Sequence, residues 1–203
     1  MSSVWEATDE LLDRKVAVKI LALDEAASAG ATERFRREAQ IAASINHPNI
    51  VTVFDTGVDG PTAFLVMELL AGPTLAQELA ESGPRPVGEV LVVAAQVCAA
   101  LGAAHAVGVV HRDIKPSSIA YASTGRVKVV DFGIARLLEA TTGQPDLTRT
   151  ATIIGTAAYL SPEQARGDPV SASTDLYALG CVLFAMLAGV PPFRGSADRR
   201  QVR

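Results

Sequence analysis

The sequence predicts an α+β protein with a strand-rich N-terminal part at residues 1–70 and a mainly helical part at residues 71–203. Three observations support this division. Short runs of β-branched residues separated by turns dominate the first part, and longer apolar runs dominate the second. A short Gly-Pro segment at residues 70–73 separates the two patterns. The length of 203 residues suits one large domain or two small lobes.

The N-terminal part is predicted to contain three strands and one helix. Residues 16–20 (VAVKI) form a strand whose alternation places Ala17 and Lys19 on one face. Residues 32–45 form an amphipathic helix with Glu38 in its apolar arc. An inward carboxylate is costly without a partner, so a cation is expected nearby. Further strands are predicted at residues 50–54 and 62–69.

The C-terminal part is predicted to be helical at residues 75–81, 87–106 and 176–188, with two short strands at residues 119–122 and 127–130. The helix at residues 176–188 is apolar all round, which predicts a central place in the core. The polar, Thr-rich segment at residues 138–156 is predicted to be a functional or a disordered loop, because loops of this length are otherwise uncommon in compact domains.

Composition and charge exclude several classes of protein. Hydrophobic residues make up 49% and charged residues 20%, which is ordinary for a globular chain. The net charge of −4 argues against nucleic acid as the main partner. Cys98 and Cys181 each lie in an apolar run, which predicts buried free thiols and a reducing compartment.

Membrane insertion is the alternative interpretation of the apolar run at residues 90–110. The run is long enough to span a bilayer, but it contains Gln96 and His105, and a charged loop follows at once. A buried core helix is therefore favoured, with no membrane span in this chain. The polar and acidic N-terminus does not have the pattern of a secretory signal peptide.

Seven motifs occur in an order that resembles one family. They are VAVK at 16–19, Glu38 within a helix, HPNIV at 47–51, HRDIKP at 111–116, DFG at 131–133, GTAAYLSPEQ at 155–164 and STDLYALG at 173–180. Together they resemble the catalytic domain of bacterial eukaryotic-like serine/threonine protein kinases. The resemblance implies a protein-kinase-like bilobal fold, with an ATP-binding N-lobe at residues 1–70 and a C-lobe at residues 71–203. It also implies that the first strand with its Gly-rich loop, and the last C-lobe helices, are missing.

The same resemblance implies ATP and Mg²⁺ as cofactors. Lys19 would neutralise the α and β phosphates and would pair with Glu38, and Asp131 would hold Mg²⁺. Asp113 would orient the substrate hydroxyl and Lys115 would face the γ phosphate. Thr156 would help to seat the substrate. The implied adenine site consists of Val4, Ala17, Met67 and Ala120, with backbone groups from Glu68 to Leu70.

Regulation and support are implied in the same way. An arginine such as Arg112 pairs with an activation-loop phosphate in the resembling family, and the candidate acceptors are Thr148, Thr150 and Thr152. An unmodified polar loop is the alternative. Structural roles are implied for His111, Arg112, Phe132, Glu163 and Asp175, with Asp175 capping backbone amides near His111.

Two residues depart from the family pattern. Ser118 replaces the Asn that ligates a second Mg²⁺, and a hydroxyl is a poorer ligand at that reach unless water bridges it. Ala120 replaces a larger apolar residue under adenine, which reduces the area buried there. The alternatives to an active kinase are therefore a weak or inactive pseudokinase or scaffold, and a non-functional fragment. Expected partners are protein substrates with Ser or Thr acceptors, and a second copy during autophosphorylation. The expected location is the cytoplasm, where membrane-anchored relatives also carry their kinase domains.

Overall fold

The computed structural model describes residues 2–22, 29–60, 62–132 and 157–193. The candidate acceptors Thr148, Thr150 and Thr152 lie outside these residues, as do Thr156 and Gly133. Glu38 lies within a described helix, but its side chain is outside the described part of the chain.

In the described residues, the N-terminal part is an antiparallel sheet of four strands with one helix against it. The strands are β1 (Ser2–Asp9), β2 (Arg14–Ala22), β3 (Val53–Asp59) and β4 (Thr62–Glu68), in the spatial order β1-β2-β4-β3. Helix α1 (Ala29–Ser44) packs against β3. A small apolar core joins β2 and β4 to the helix through residues such as Leu21, Leu65 and Ala39.

Sequence reasoning predicted part of this sheet. The strand at residues 16–20 lies within β2, and the strand at 62–69 corresponds to β4. No strand was predicted for β1. The strand predicted at residues 50–54 was placed too early, because Ile50 forms an isolated parallel bridge with Val129 and the sheet strand runs from Val53 to Asp59.

The C-terminal part is built on helices and one hairpin. The helices are α2 (Leu75–Ser82), α3 (Val87–Ala106), α4 (Pro162–Arg166) and α5 (Ala172–Ala188). Strands β5 (Ile119–Tyr121) and β6 (Val127–Val129) pair in antiparallel fashion. Single 3₁₀ turns cover Pro116–Ser118 and Ala157–Tyr159. Helix α3 packs on α5 and β6 to form the larger core.

Side chains cap the start of α2, α4 and α5. Thr74 accepts a hydrogen bond from the Gln77 amide at the start of α2, and Ser171 accepts one from the Ser173 amide at the start of α5. Gly189 ends α5 with φ of 74°, a left-handed conformation that suits glycine. The start predicted at residue 75 and the end predicted at residue 188 agree with these signals, whereas α5 begins at Ala172, before its predicted start at residue 176.

One prediction about apolar surfaces was confirmed in part and one was wrong. Helix α5 lies in the larger core on one side, but it is not buried all round, since Leu176, Phe184 and Leu187 are exposed. Cys98 is exposed because it follows buried Val97 by one residue, which turns it about 100° around α3. Both cysteines are free, as predicted.

Within the described residues, α3 is one helix that is long and apolar enough to cross a membrane by length and composition. Its buried stripe, which includes Val93, Val97 and Leu101, lies in the larger core. A core helix of a water-soluble protein passes the same test, so the match is weak evidence for a membrane span.

The segment after α1 joins the sheet to the hairpin. The Asn49 side-chain amide nitrogen donates to Gln96 Oε1 at 2.8 Å and to the Val127 carbonyl at 2.7 Å. The Val129 amide donates to the Asn49 carbonyl at 2.8 Å, and the Val51 amide donates to the Val129 carbonyl at 3.0 Å. This seam fixes the sheet relative to β6. The boundary at residue 70 between two lobes remains a prediction.

Candidate active site

Asp175 holds the start of the loop at residues 111–118 by accepting hydrogen bonds from its backbone amides. The side chain of Asp175 is completely buried at the start of α5. Its Oδ2 accepts the His111 amide at 2.8 Å, and its Oδ1 accepts the Arg112 amide at 2.8 Å. Oδ2 also lies 2.8 Å from His105 Nε2 on α3. A buried carboxylate is tolerated when it is saturated in this way, so Asp175 is built to hold backbone amides.

Arg112 has a strained backbone conformation, and both its amide and its carbonyl are held by hydrogen bonds. Its φ of 69° lies in the left-handed region, which costs a non-Gly residue about 1–3 kcal/mol. Asp175 holds its amide, and Gln164 Nε2 donates to its carbonyl at 2.7 Å. The two contacts impose the conformation, because neither peptide group of Arg112 can turn without losing a buried partner.

His111 connects this loop to the segment after β6. Its ring is buried, Nδ1 accepts the Asp113 amide at 3.2 Å, and Nε2 faces the Val130 carbonyl at 2.8 Å. Since Nδ1 accepts, Nε2 carries the proton that is donated to Val130. The ring also meets Phe132 edge-on, with centroids 4.8 Å apart. His111 therefore links the position of Asp113 to that of residues 130–132.

Asp113 and Lys115 form a close ion pair on this loop. Lys115 Nζ lies 2.7 Å from Asp113 Oδ2, and the side chains are 24% and 37% exposed for Lys115 and Asp113 respectively. A partly accessible carboxylate next to an ammonium can accept a proton while the cation stabilises an anionic group.

Ser118 closes the same loop with its hydroxyl. Its Oγ donates to the Lys115 carbonyl at 2.8 Å and accepts the Lys115 amide at 2.9 Å. The residue is 2% exposed, and its own carbonyl accepts the Val130 amide. The one hydroxyl proton is therefore committed to the backbone, and Ser118 acts as a brace within the 3₁₀ turn.

Lys19 and Asp131 bring the sheet and the hairpin together. Lys19 Nζ lies 2.9 Å from Asp131 Oδ1, with Lys19 buried and the Asp131 side chain 36% exposed. Asp131 has φ of 69°, a conformation that aspartate tolerates better than most residues. A buried ammonium requires an anion, and Asp131 supplies one. The expected contact between Lys19 and Glu38 falls on a side chain outside the described part of the chain.

The strand register places the predicted adenine residues on one face of the sheet. Val4 pairs with Lys19, and Met67 pairs with Ala17. Because side chains alternate along each strand, these four lie on the same face. Val4 is 59% exposed, whereas Ala17 and Met67 are buried. Ala120 is buried on β5 of the hairpin.

The end of β4 carries the predicted adenine-binding backbone. The Glu68 amide donates to the Thr52 carbonyl at 2.9 Å, and Leu70 is half-buried against the small core. The Gly72 amide donates to the Tyr121 carbonyl at 3.0 Å, and a Cβ at Gly72 would overlap that oxygen. Glycine is therefore required where the chain passes β5.

Glu163, on α4, is bonded to α5. Thr174 Oγ1 donates to Glu163 Oε1 at 2.6 Å, and this hydrogen bond lowers the pKa of the Glu163 carboxyl. The contact ties α4, and with it Gln164, to the helix that carries Asp175.

Comparison with known proteins agrees with this geometry. The family model described as the protein kinase domain matches residues 1–203. The chain belongs to the protein kinase domain family. It is 49% identical over 201 residues to serine/threonine-protein kinase PknB of Mycobacterium leprae and to PknB of Mycobacterium tuberculosis, covering 97% of this chain and 32% of each relative. It is also 49% identical to a probable serine/threonine-protein kinase of Corynebacterium efficiens, covering 97% of this chain and 30% of that relative. The chain thus spans about a third of the length of these relatives.

Several residues that support the kinase site were missed by sequence reasoning. Gln164, Asn49 and Gln96 hold backbone groups, and His105 was interpreted as a packed or solvent-tipped histidine. Their polar side chains carry no spacing that indicates distant backbone partners. A signal did exist for Lys128, which lies between two buried valines on β6. A charge in such a strand predicts an anion on the other face.

Proposed function

We propose that this chain is the catalytic domain of a serine/threonine protein kinase that transfers the γ phosphate of ATP to Ser and Thr hydroxyls of proteins. The observation that carries the proposal is the 2.9 Å ion pair between Lys19 and Asp131. It brings a buried cation from the sheet to a carboxylate that follows the hairpin. Phosphoryl transfer depends on this kind of charge placement rather than on covalent work by the protein.

The residues present fit a nucleotide with one divalent cation. Lys19 would contact the α and β phosphates, and the accessible carboxylate of Asp131 is a suitable Mg²⁺ ligand. The bound Mg²⁺ would neutralise the charge of the phosphates. Ser118 does not fit a second Mg²⁺, because its buried hydroxyl is bonded to the Lys115 backbone on both sides.

The loop residues would perform the transfer step. Asp113 would accept the proton from the substrate hydroxyl as the oxygen attacks phosphorus, and the bond to the ADP leaving group breaks. Lys115 would leave Asp113 and stabilise the oxygens of the transferred phosphoryl group. Asp175 and Gln164 would keep the loop in position. The roles proposed for Glu38 and Thr156 concern residues that the structure does not describe at the side-chain level.

The test uses the 203-residue chain with MgATP and a basic protein substrate. Formation of phosphoserine or phosphothreonine is expected in the unmodified chain, and the signal should vanish in Asp113→Ala. Asp168→Asn is the matched control, because Asp168 pairs with Arg166 on the surface of the C-terminal part. A folded chain with no Asp113-dependent signal would refute the proposal.

A second candidate function is a pseudokinase that binds partners without useful turnover, and the engaged hydroxyl of Ser118 favours it. In this case, MgADP would still raise the thermal midpoint of unfolding, but Asp113-dependent transfer would be absent. A large gain of Mg²⁺-dependent transfer in Ser118→Asn would assign the defect to this position.

We also propose a lobe boundary, a location and a mode of regulation that accompany the kinase function. The lobes divide at residue 70, and the domain acts in the cytoplasm. Two copies associate transiently to phosphorylate Thr148, Thr150 or Thr152, and Arg112 pairs with the phosphate. Mass spectrometry after incubation with MgATP should locate phosphate on these threonines in the unmodified chain and on none of them in Asp113→Ala.

A further inference from the structure

Lys128 joins three segments, which are β6, the end of β4 and the seam that follows α1. Its Nζ lies 2.6 Å from Glu68 Oε2 at the end of β4 and 3.3 Å from the Ile50 carbonyl in the seam. The same Glu68 oxygen lies 3.4 Å from the Thr52 amide. The side chains of Lys128 and Glu68 are 12% and 29% exposed, so water screens the pair less than a surface ion pair.

Lys128 lies on β6 next to the predicted adenine residue Ala120 and shortly before Asp131 in the chain. Its neighbours Val127 and Val129 are buried in the larger core, which leaves Lys128 on the opposite face of the hairpin. Ala120 lies opposite Lys128 in the register and shares this face. Three residues after Lys128 the chain reaches Asp131.

Glu68 is equally constrained at the other end of this contact. Its amide donates to the Thr52 carbonyl, and its carboxylate is held by Lys128. Glu68 directly follows Met67 and is the first residue of the predicted adenine-binding backbone. The orientation of this backbone is therefore tied to the strand that leads to Asp131.

We propose that Lys128 is a positioning residue for nucleotide binding, which through Glu68 fixes the distance between the predicted adenine-binding backbone at the end of β4 and Asp131, the proposed Mg²⁺ ligand. The inference rests on the proposed kinase function. A nucleotide must meet both of these positions at once, so affinity depends on their spacing being set before binding. Loss of the ion pair lets the end of β4 move relative to β6 while both segments remain folded.

The test measures the dissociation constant of MgADP by calorimetry with the 203-residue chain and its variants. Lys128→Met is expected to weaken binding roughly fivefold to tenfold, which is the usual size of coupling through one contact. Glu68→Gln should weaken it by a similar factor, and the double variant should be no weaker than the worse single variant. Lys128→Arg should restore near-normal affinity, because arginine can keep the ion pair.

Lys15→Met is the matched control. Lys15, on β2, forms an ion pair with Glu6 on β1 at 3.4 Å, and the two side chains are 63% and 60% exposed. It removes a surface lysine and should leave affinity unchanged. Unchanged MgADP affinity in Lys128→Met would overturn the inference. A lower stability of the same variant would then show that the role of Lys128 is structural. If Lys128→Met does not fold, equal affinity of Glu68→Gln and the unmodified chain overturns it. Absence of MgADP binding in the unmodified chain would instead overturn the proposed function.

Discussion

Asp175→Asn is expected to cause a large loss of stability, because it removes one acceptor from a fully buried site. The carboxylate is fully buried and receives three contacts at 2.8 Å, from the His105 ring and from the amides of His111 and Arg112. An asparagine of the same shape has one oxygen and one amide nitrogen, and the nitrogen cannot accept. At least one donor therefore loses its partner.

The expected cost follows from these three contacts. The least damaging orientation turns the amide nitrogen toward Arg112, whose buried amide is then unsatisfied at a cost of about 1–3 kcal/mol. The other two bonds change from a charged to a neutral acceptor and lose about 1 kcal/mol each. The sum is a decrease of about 4 kcal/mol in the free energy of unfolding, a large part of the ~5–15 kcal/mol typical of a domain.

Urea unfolding followed by far-ultraviolet circular dichroism measures this change. Fluorescence is unsuitable because Trp5, the one tryptophan, is already 61% exposed in the native chain. Asp168→Asn serves as the control and should unfold near the wild-type midpoint, because its ion pair with Arg166 is exposed. An Asp175→Asn variant within about 1 kcal/mol of the wild type would refute the reasoning, since one unsatisfied amide alone costs this much.

Three further predictions follow from single contacts. Ser118→Ala should lower the free energy of unfolding by about 2 kcal/mol, because two hydrogen bonds to Lys115 are lost. The number of Mn²⁺ ions bound with ADP, counted by electron paramagnetic resonance, should stay at one, and a loss of Mn²⁺ affinity would show that Ser118 is a ligand. Gly72→Ala should lower the thermal midpoint by several degrees, because its Cβ would collide with the Tyr121 carbonyl oxygen; an unchanged midpoint would contradict this close approach of the chain to β5. At neutral pH a thiol reagent should label exposed Cys98 quickly and Cys181 only after unfolding, since burial raises the pKa of Cys181 and keeps it protonated until higher pH; equal labelling in mass spectra would contradict this.

The sequence predicted the elements whose signals are local. The strand at residues 16–20 and the helix at residues 75–81 were predicted from patterns within each element, and they correspond to β2 and α2. The strand at residues 50–54 was placed wrongly because Ile50 pairs with Val129, a partner far along the chain. No local pattern distinguishes that bridge from a sheet strand.

The site was predicted unevenly for the same reason. Motif positions such as Asp113, Lys115 and Asp131 are read directly from the sequence, and the structure places Lys19 beside Asp131. Among the polar residues that hold these positions, Asp175 was predicted to cap the amides near His111, and it accepts the amides of His111 and Arg112. Gln164 and Lys128 were missed. They contact residues 52 and 60 positions away, and although the charge of Lys128 in a buried strand indicates an anion, it does not identify Glu68.

The seam between the sheet and the hairpin also sets an order of events during synthesis on the ribosome. Its hydrogen bonds from Asn49 to Val127 and from Lys128 to Ile50 join residues 78 positions apart. At elongation rates of about 5–20 residues per second the second partner emerges roughly 4–16 s after the first. During this interval Ile50 and Val51, which are 2% and 5% exposed in the native fold, have no β6 to cover them. The nascent N-terminal segment is therefore expected to be a target for chaperones until residue 129 has left the exit tunnel.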